Sequence, residues 1–162
     1  MKYLGRKYGL TTGNNDPALA NEEMLLFQLQ DLLLRIVQTA YFKQPYKSEE
    51  EFQSEMVQLT KDLHNHLELL EKFFPSDDGN NPMWFTGTQL SYVDFFAYEI
   101  IQRYQELVQP DCLSAIPDKY PKLAEFMTRF ESLEPLRDYL ASDEYKKAPI
   151  FGPIAKIGNT RR

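Results

Sequence analysis

Few side chains in this sequence of 162 residues have types and spacings that could do chemistry. His64 and His66 lie two residues apart, which on a helix directs them to different faces, so they cannot hold one metal ion together. Solvent contact or core packing is the better interpretation of both. Cys112 is the single cysteine and has no histidine near it, which favours a buried, inert thiol over a nucleophile. Since no phosphate-binding glycine loop or serine–histidine–acid set is present, we predict no metal site and no catalytic residue from these patterns.

Composition and charge exclude several classes of function. The net charge of −6, with basic residues scattered along the chain, disfavours nucleic acid and anionic membranes as partners. No apolar run approaches the roughly 18 residues that a membrane span needs, and no charged-then-apolar leader is seen. A lone cysteine fits a reducing compartment, so we expect a cytoplasmic protein. The hydrophobic fraction of 43% suits one globular domain with a sizeable core.

The clearest local pattern is a helix start at Ser91. The Ser91 hydroxyl is placed to accept from the Asp94 amide while the Asp94 carboxylate accepts from the Ser91 amide, as in a capping box. Leu90 and Phe95 are spaced to form a hydrophobic staple, and Gly87 supplies backbone freedom in the approach. A bare Ser-x-x-Asp can cap any helix. What distinguishes this one is the whole string in one register, preceded by Trp-Phe and followed by an aromatic-rich helix.

Apolar residues recur at three- and four-residue steps almost everywhere, which predicts helices. Asp16 is a plausible N-cap with Pro17 at the first helical position, and Ser48 with Glu51 forms a second capping box. Glu49, Glu50 and Glu51 are interpreted as a solvated first turn. The predicted core positions of these two helices are Leu25, Leu29, Leu32, Leu33, Ile36, Val37, Ala40, Phe52, Met56, Leu59, Leu63, Leu67, Leu70 and Phe74.

The remaining elements follow the same period. A loop is predicted over residues 75–82, a third helix after Ser91, a fourth near Pro121 and a short fifth near Pro135. The predicted inward residues of the third and fourth are Phe95, Phe96, Ile100, Ile101, Tyr104, Leu123, Phe126, Met127 and Phe130. No alternating strand pattern or hairpin dipeptide is found. The fold class predicted is an all-α helical bundle.

Five separated segments resemble mu-class glutathione transferases, in the order and close to the spacing of that family. They are MKYLGRK at residues 1–7, the WFTG turn with its SYVDF cap at 84–95, PDCLSAIP at 110–117, FMTRFESL at 126–133 and PIF at 149–151. Together they cover nearly the whole chain. Sigma-class membership is the alternative within the family, and the WFTG turn and PIF tail argue against it.

The resemblance implies a particular domain arrangement. Residues 1–15 would be the end of the last helix of a thioredoxin-like domain plus a linker, and residues 16–162 would form the C-terminal-like all-α domain. The glutathione half, with the tyrosine that activates the thiolate, would then be missing from this sequence. We therefore expect the chain alone to be inactive.

The resemblance also assigns roles to four residues. Tyr41 matches a tyrosine that projects into the electrophile pocket and hydrogen-bonds developing negative charge; a plain packing role is the alternative. Phe151 and Gly152 match tail residues lining that pocket. Asp31 matches a carboxylate that reaches across the dimer to the neighbour's glutathione, with a helix-surface acid as the alternative.

Two positions depart from the family pattern. Leu33 stands where several members place arginine, and Ile157 where they place tryptophan, so substrate preference is not transferred.

The function implied is conjugation of reduced glutathione to hydrophobic electrophiles, with glutathione as co-substrate, no cofactor and a homodimer in the full-length form. The alternative is a non-catalytic carrier of apolar ligands, or a helical dimerisation module, lacking the glutathione site.

Overall fold

A computed structural model describes residues 1–12, 16–42, 48–75, 82–107 and 119–158. Its α-helices in these ranges are α1 (Lys2–Lys7), α2 (Asp16–Val37), α3 (Glu49–Phe73), α4 (Tyr92–Leu107), α5 (Pro121–Glu131), α6 (Glu134–Ala141) and α7 (Asp143–Lys147). A π-helical turn, Gln38–Phe42, continues α2. The described residues contain no strand beyond an isolated bridge between Trp84 and Gly87. The all-α prediction is confirmed.

The two long helices bury the stripes that their periodicity predicts. Among the predicted positions, Leu33, Val37, Phe52 and Met56 are half-buried and the others are buried. Ser48 caps α3 by accepting from the Glu51 amide at 3.2 Å, and residues 49–51 are exposed as predicted. Helix α2 begins at Asp16, but the side-chain cap predicted there lies outside the described residues, as does most of the predicted loop at 75–82.

Helix α4 forms the centre of the bundle and packs most extensively against α2. Its residues Ile100, Ile101 and Tyr104 are buried and Phe95 and Phe96 are half-buried, in agreement with the prediction. Besides Asp94, four aromatic or apolar residues of α4 that the prediction left out are also buried: Tyr92, Val93, Ala97 and Tyr98.

An aromatic cluster connects the turn before α4 to α5. Trp84 is 5% exposed and stands edge-on to Phe126 and Phe130, with ring centroids 6.2 and 6.4 Å away. Phe85 meets Phe126 at 4.9 Å in a similar orientation. Edge-to-face pairs of this kind add stabilisation beyond the apolar area that they bury. The turn at residues 84–87 is thereby packed into the core.

The cap of α4 differs in part from the prediction. The Asp94 carboxylate does accept from the Ser91 amide at 2.8 Å. The Ser91 hydroxyl, however, donates to the same carboxylate at 2.8 Å instead of accepting from the Asp94 amide, which bonds the Ser91 carbonyl at 3.1 Å. The second carboxylate oxygen accepts from the Phe85 amide at 3.0 Å. A buried ionised carboxylate attracts every donor in reach, and this explains the changed role of the hydroxyl.

Asp94 is fully buried, so its carboxylate has lost its hydration, and the three hydrogen bonds compensate for part of that cost. Burial raises the pKa of the Asp94 carboxyl above its ordinary value, although the bonds from Ser91 and Phe85 act to lower it. Leu90 and Phe95 are both half-buried against the core, and the staple contact between them stays a prediction.

Gly87 has φ of +117°, a region that residues with a Cβ rarely adopt, and no atom lies within 4 Å of the position of an added Cβ. The backbone angle alone therefore requires glycine here. We expect Gly87→Ala to lower the free energy of unfolding by about 1–2 kcal/mol, measured by urea unfolding followed by circular dichroism. Gly152→Ala is the matched control, because Gly152 has no such φ and an added Cβ would meet only the Tyr41 hydroxyl, at 3.5 Å. An equal loss in both variants would contradict the conformational explanation.

Helix α5 takes its N-terminal cap from another helix. Tyr120 precedes it without a side-chain cap, and Glu71 of α3 supplies both carboxylate oxygens instead, accepting from the Lys122 amide at 3.1 Å and the Leu123 amide at 3.0 Å. The predicted core residues of α5 are all buried. Helix α6 agrees with the predicted short helix near Pro135, whereas α7, capped by Ser142, was not predicted.

The first twelve residues dock onto the start of α4. The Tyr92 amide donates to the Leu10 carbonyl at 2.9 Å, and a Cβ on Gly5 would come within 2.6 Å of the Tyr92 ring. Thr12 donates through its amide and its hydroxyl to the buried Glu22 carboxylate, both at 2.9 Å. The domain boundary at residue 15 stays a prediction. None of the helices in the described ranges is long and apolar enough to cross a bilayer.

Candidate functional site

Tyr41 lies in the π-helical turn that ends α2. Such turns insert an extra residue into the helical ladder and are frequent at functional sites. The half-buried Tyr41 hydroxyl accepts a hydrogen bond from the Gly152 amide at 2.8 Å. Because the oxygen is the acceptor in this bond, the phenolic hydrogen is left to donate in another direction. Tyr41 can therefore offer a donor to a group placed beside the tail.

The tail carries an aromatic wall next to this hydroxyl. Phe151 is buried, and its ring stands edge-on to Tyr41 with centroids 5.6 Å apart. The Phe151 amide donates to the Gly158 carbonyl at 2.8 Å, which closes the tail into a loop. Gly158 has φ of +69°, and an added Cβ would come within 2.9 Å of the Phe151 side chain. The loop is thus shaped around the Phe151 ring.

A backbone bond attaches this loop to the helix that carries Tyr41. The Lys156 amide donates to the Ala40 carbonyl at 2.9 Å, and its ammonium lies 4.9 Å above the Phe52 ring. From α4, the Arg103 guanidinium lies 5.8 Å from the Phe151 ring centroid while pairing with Glu99 at 2.6 Å. One cationic side chain, Arg103, therefore lies beside the aromatic pair of Tyr41 and Phe151, and Lys156 lies over the Phe52 ring.

The structure brings together the three residues predicted to bind the electrophile: Tyr41, Phe151 and Gly152. They come from opposite ends of the sequence, and the hydroxyl-to-amide bond between them joins residues 111 positions apart. An apolar ring, a phenolic donor and a nearby cation form a surface on which an apolar electrophile could accumulate negative charge. The role of each residue in binding stays a prediction.

Asp31 does not join this group. It is exposed on α2, in a stripe whose other members Met24, Phe27 and Leu34 are each more than half exposed. Spacings of three and four residues place all four on one helix face. Asp31 is thus an acidic residue within an apolar surface, and its contact across a dimer stays a prediction.

The two histidines face different helices, as their spacing predicts. His64 approaches the Tyr120 hydroxyl at 3.3 Å, and His66 contacts the Gln28 amide group at 2.5 Å. Burial lowers the pKa of both imidazoles, and Lys119 lowers that of His64 further whereas Asp31 opposes the shift at His66. Both histidines fit packing between helices.

In the described part of the chain, no three His, Cys, Asp or Glu side chains are grouped to hold a metal ion. Cys112 lies outside the described residues.

The positions that depart from the family pattern, Leu33 and Ile157, are half-buried apolar residues packed against the core. Sequence reasoning missed Arg103 and Lys156, and it also missed an ionic cluster at the end of α2. Arg103 has a sequence signature only as the partner of Glu99 four residues earlier. Nothing in the sequence indicates that Arg103 approaches the Phe151 ring.

Comparison with known proteins agrees with this architecture. The family model described as glutathione S-transferase, C-terminal domain, matches residues 30–143. Glutathione S-transferase Mu 1 of Rattus norvegicus is 29% identical over 159 residues, which are 98% of this chain and 65% of that protein. Glutathione S-transferase Mu 2 of Macaca fascicularis is 30% identical with the same coverage. The chain thus spans 65% of the length of these curated relatives.

Solved structures give the same result. The crystal structure of the glutathione S-transferase Blo t 8 superposes with a TM-score of 0.82 at 33% identity, covering 97% of this chain and 67% of that chain. A Pi-class glutathione S-transferase of Onchocerca volvulus superposes with a TM-score of 0.73 at 24% identity, a likeness of fold alone.

Proposed function

Because the chain belongs to the glutathione S-transferase family, we propose that it carries the electrophile-binding half of a mu-like enzyme. The proposed reaction conjugates reduced glutathione to hydrophobic electrophiles. The observation that carries the proposal is the junction of Tyr41, Phe151 and Gly152, where a phenolic donor lies beside an apolar wall. The mu-like relatives, at about 30% identity, support the class.

The proposed mechanism divides the work between two parts of an enzyme. The glutathione thiolate forms a bond to a ring carbon of the electrophile, and the electron pair moves onto the ring substituents before the leaving group departs with it. Tyr41 donates its phenolic hydrogen to that developing charge, and Phe151 packs against the apolar body. No residue that the resemblance assigns to thiolate activation is among these 162 residues, so we expect them to catalyse no conjugation alone.

The exposed face of α2 supports a homodimer in this proposal. Met24, Phe27 and Leu34 present an apolar stripe that water disfavours, and Asp31 lies within it. In this proposal the Asp31 carboxylate pairs with the ammonium group of glutathione held by a partner subunit.

Tyr41→Phe tests the electrophile site without requiring turnover. Picrate, a nitrated phenolate, resembles the negative charge that develops during conjugation, whereas trinitrotoluene has the same apolar size and no charge. We expect Tyr41→Phe to weaken picrate binding about tenfold, because a hydrogen bond to a charged group is lost, and to change trinitrotoluene binding less than about twofold. Isothermal titration calorimetry of the chain measures both.

Tyr139→Phe is the matched control, since Tyr139 is 53% exposed and lies on α6. It should leave both affinities unchanged. Equal weakening of the two ligands by Tyr41→Phe, or no weakening of either, would contradict a role in stabilising charge.

A second candidate function, an apolar ligand carrier or dimerisation module without catalysis, is favoured by the same exposed stripe on α2. A carrier would hold its ligand by burial of apolar surface alone. It therefore predicts that trinitrotoluene binds at least as tightly as picrate and that Tyr41→Phe affects neither.

A further inference from the structure

A half-buried ionic cluster joins the end of α2 to α3, on residues that the proposed reaction does not use. Arg35 donates through Nε to the Asp62 carboxylate at 2.6 Å and through Nη1 to the Glu55 carboxylate at 2.7 Å. The side chains of Arg35, Glu55 and Asp62 are 16%, 15% and 27% exposed. Charged groups with so little water are held in one geometry by their partners.

Thr39, which lies in the π-helical turn, is hydrogen-bonded to this cluster. Its fully buried hydroxyl accepts from Arg35 Nη1 at 2.7 Å and lies 3.1 Å from the Glu55 carboxylate oxygen, to which it can donate. Because water does not reach this hydroxyl, losing these hydrogen bonds would be costly, and they restrain the position of Thr39. Thr39 stands two residues before Tyr41 in the same turn.

The turn decides where Tyr41 points. An α-helix advances about 100° per residue, so the extra residue of a π-helical turn rotates everything after it by about that angle. A regular α-helical ladder through Gln38–Phe42 would therefore give the Tyr41 side chain a different direction from the one in which its hydroxyl meets the Gly152 amide. What holds the turn therefore holds the Tyr41 hydroxyl against the Gly152 amide.

We propose that Arg35, Thr39 and Glu55 are positioning residues that hold the π-helical turn and so place the Tyr41 hydroxyl at the electrophile site. The cluster contacts α3 on one side of the turn, and Tyr41 contacts the tail on the other. The importance of this cluster for catalysis rests on the proposed function, but the effect of the cluster on the position of the Tyr41 hydroxyl does not.

The Gly152 amide reports this placement directly, because it donates to the Tyr41 hydroxyl. With seven glycines in the chain, its cross-peak can be assigned in a ¹H–¹⁵N correlation spectrum. Tyr41→Phe, which removes the acceptor, defines the shift and exchange rate of an unbonded Gly152 amide. We expect Thr39→Val, similar in volume but without the hydroxyl, to move the cross-peak toward that reference and to speed its exchange with D₂O roughly tenfold. Glu55→Gln, which keeps the shape and removes the charge, should act in the same direction.

Thr60→Val is the matched control, because the half-buried Thr60 hydroxyl donates within its own helix, α3, to the Met56 carbonyl at 2.8 Å. It should leave the Gly152 cross-peak in place. The proposal is overturned if Gly152 keeps its wild-type shift and exchange rate in both Thr39→Val and Glu55→Gln, or if Thr60→Val disturbs it equally. No ligand enters this measurement, so its failure and that of the picrate experiment are distinguishable.

Discussion

Asp94→Ala is expected to lower the free energy of unfolding by about 3–5 kcal/mol, a larger loss than we expect for Gly87→Ala or Arg35→Met. The carboxylate is fully buried and accepts from the Ser91 amide, the Ser91 hydroxyl and the Phe85 amide. Alanine would leave these donors without their acceptor in a site that excludes water. A buried donor that loses its partner costs about 1–3 kcal/mol, and at least two backbone amides would do so.

Ser48→Ala is the matched control, because Ser48 caps α3 in the same way but in an exposed position. It should cost about 1 kcal/mol, the usual value for an N-cap. Asp94→Asn should fall between the two, since its amide keeps one of two acceptor atoms. Urea unfolding followed by circular dichroism gives all three values. A loss of unfolding free energy in Asp94→Ala no larger than in Ser48→Ala would show that burial of the cap adds nothing to its contribution.

Arg35→Met is expected to lower the free energy of unfolding by about 2–4 kcal/mol at neutral pH. Methionine fills much of the same space, but the carboxylates of Glu55 and Asp62 both lose the Arg35 guanidinium at positions where they are only 15% and 27% exposed. Arg103→Met is the control, because the Arg103–Glu99 pair is more exposed and should contribute less than about 1 kcal/mol. Replacing Glu55 and Asp62 with apolar residues in Arg35→Met should restore much of the loss, since whole buried ion clusters are often replaceable.

The pH dependence separates lost charge pairing from lost packing. In the wild type, burial opposes ionisation of Asp62, but hydrogen bonds from Arg35 and Gln58 lower the pKa of its carboxyl below the ordinary value. A lowered pKa in the folded state contributes stability above the unfolded-state pKa, near 4, and this contribution is lost as pH falls through the folded-state pKa. In Arg35→Met the Asp62 carboxyl stays partly buried but loses the hydrogen bond from Arg35, so its pKa rises, and protonation removes the cost of burying its charge. The deficit of the variant should therefore shrink as pH falls toward about 4 and continue to shrink below it, and a deficit independent of pH would identify a packing defect.

Most of the helices could be predicted because their buried faces repeat at the helical period. The stripes of α2, α3 and α5 are continuous, and every predicted position in them is buried or half-buried. Helix α7 has only five residues, too few for a period to be recognised, although Ser142 followed by Asp143 and Glu144 is a typical helix start. The reversed role of the Ser91 hydroxyl could not be foreseen, because it depends on the burial of Asp94.

The site was less accessible to sequence reasoning. Tyr41, Phe151 and Gly152 were identified by resemblance alone, and the bond that joins Tyr41 to Gly152 spans 111 positions. The π-helical turn that aims Tyr41 has no hydrophobic period of its own, since one extra residue simply shifts the pattern after it. Arg35 and Glu55 resemble ordinary helix-surface charges until the packing of α2 on α3 removes them from water.

Trp84 is the single tryptophan of the chain, and its buried side chain anchors the turn before α4 in the core. Its indole is enclosed by Phe126 and Phe130, and only 5% of it is exposed. An indole in such surroundings fluoresces at shorter wavelength than one in water. Because the chain has one tryptophan, all of its indole emission comes from this one place. Selective excitation of this ring would show when the junction between the α4 cap and α5 opens, without any added label.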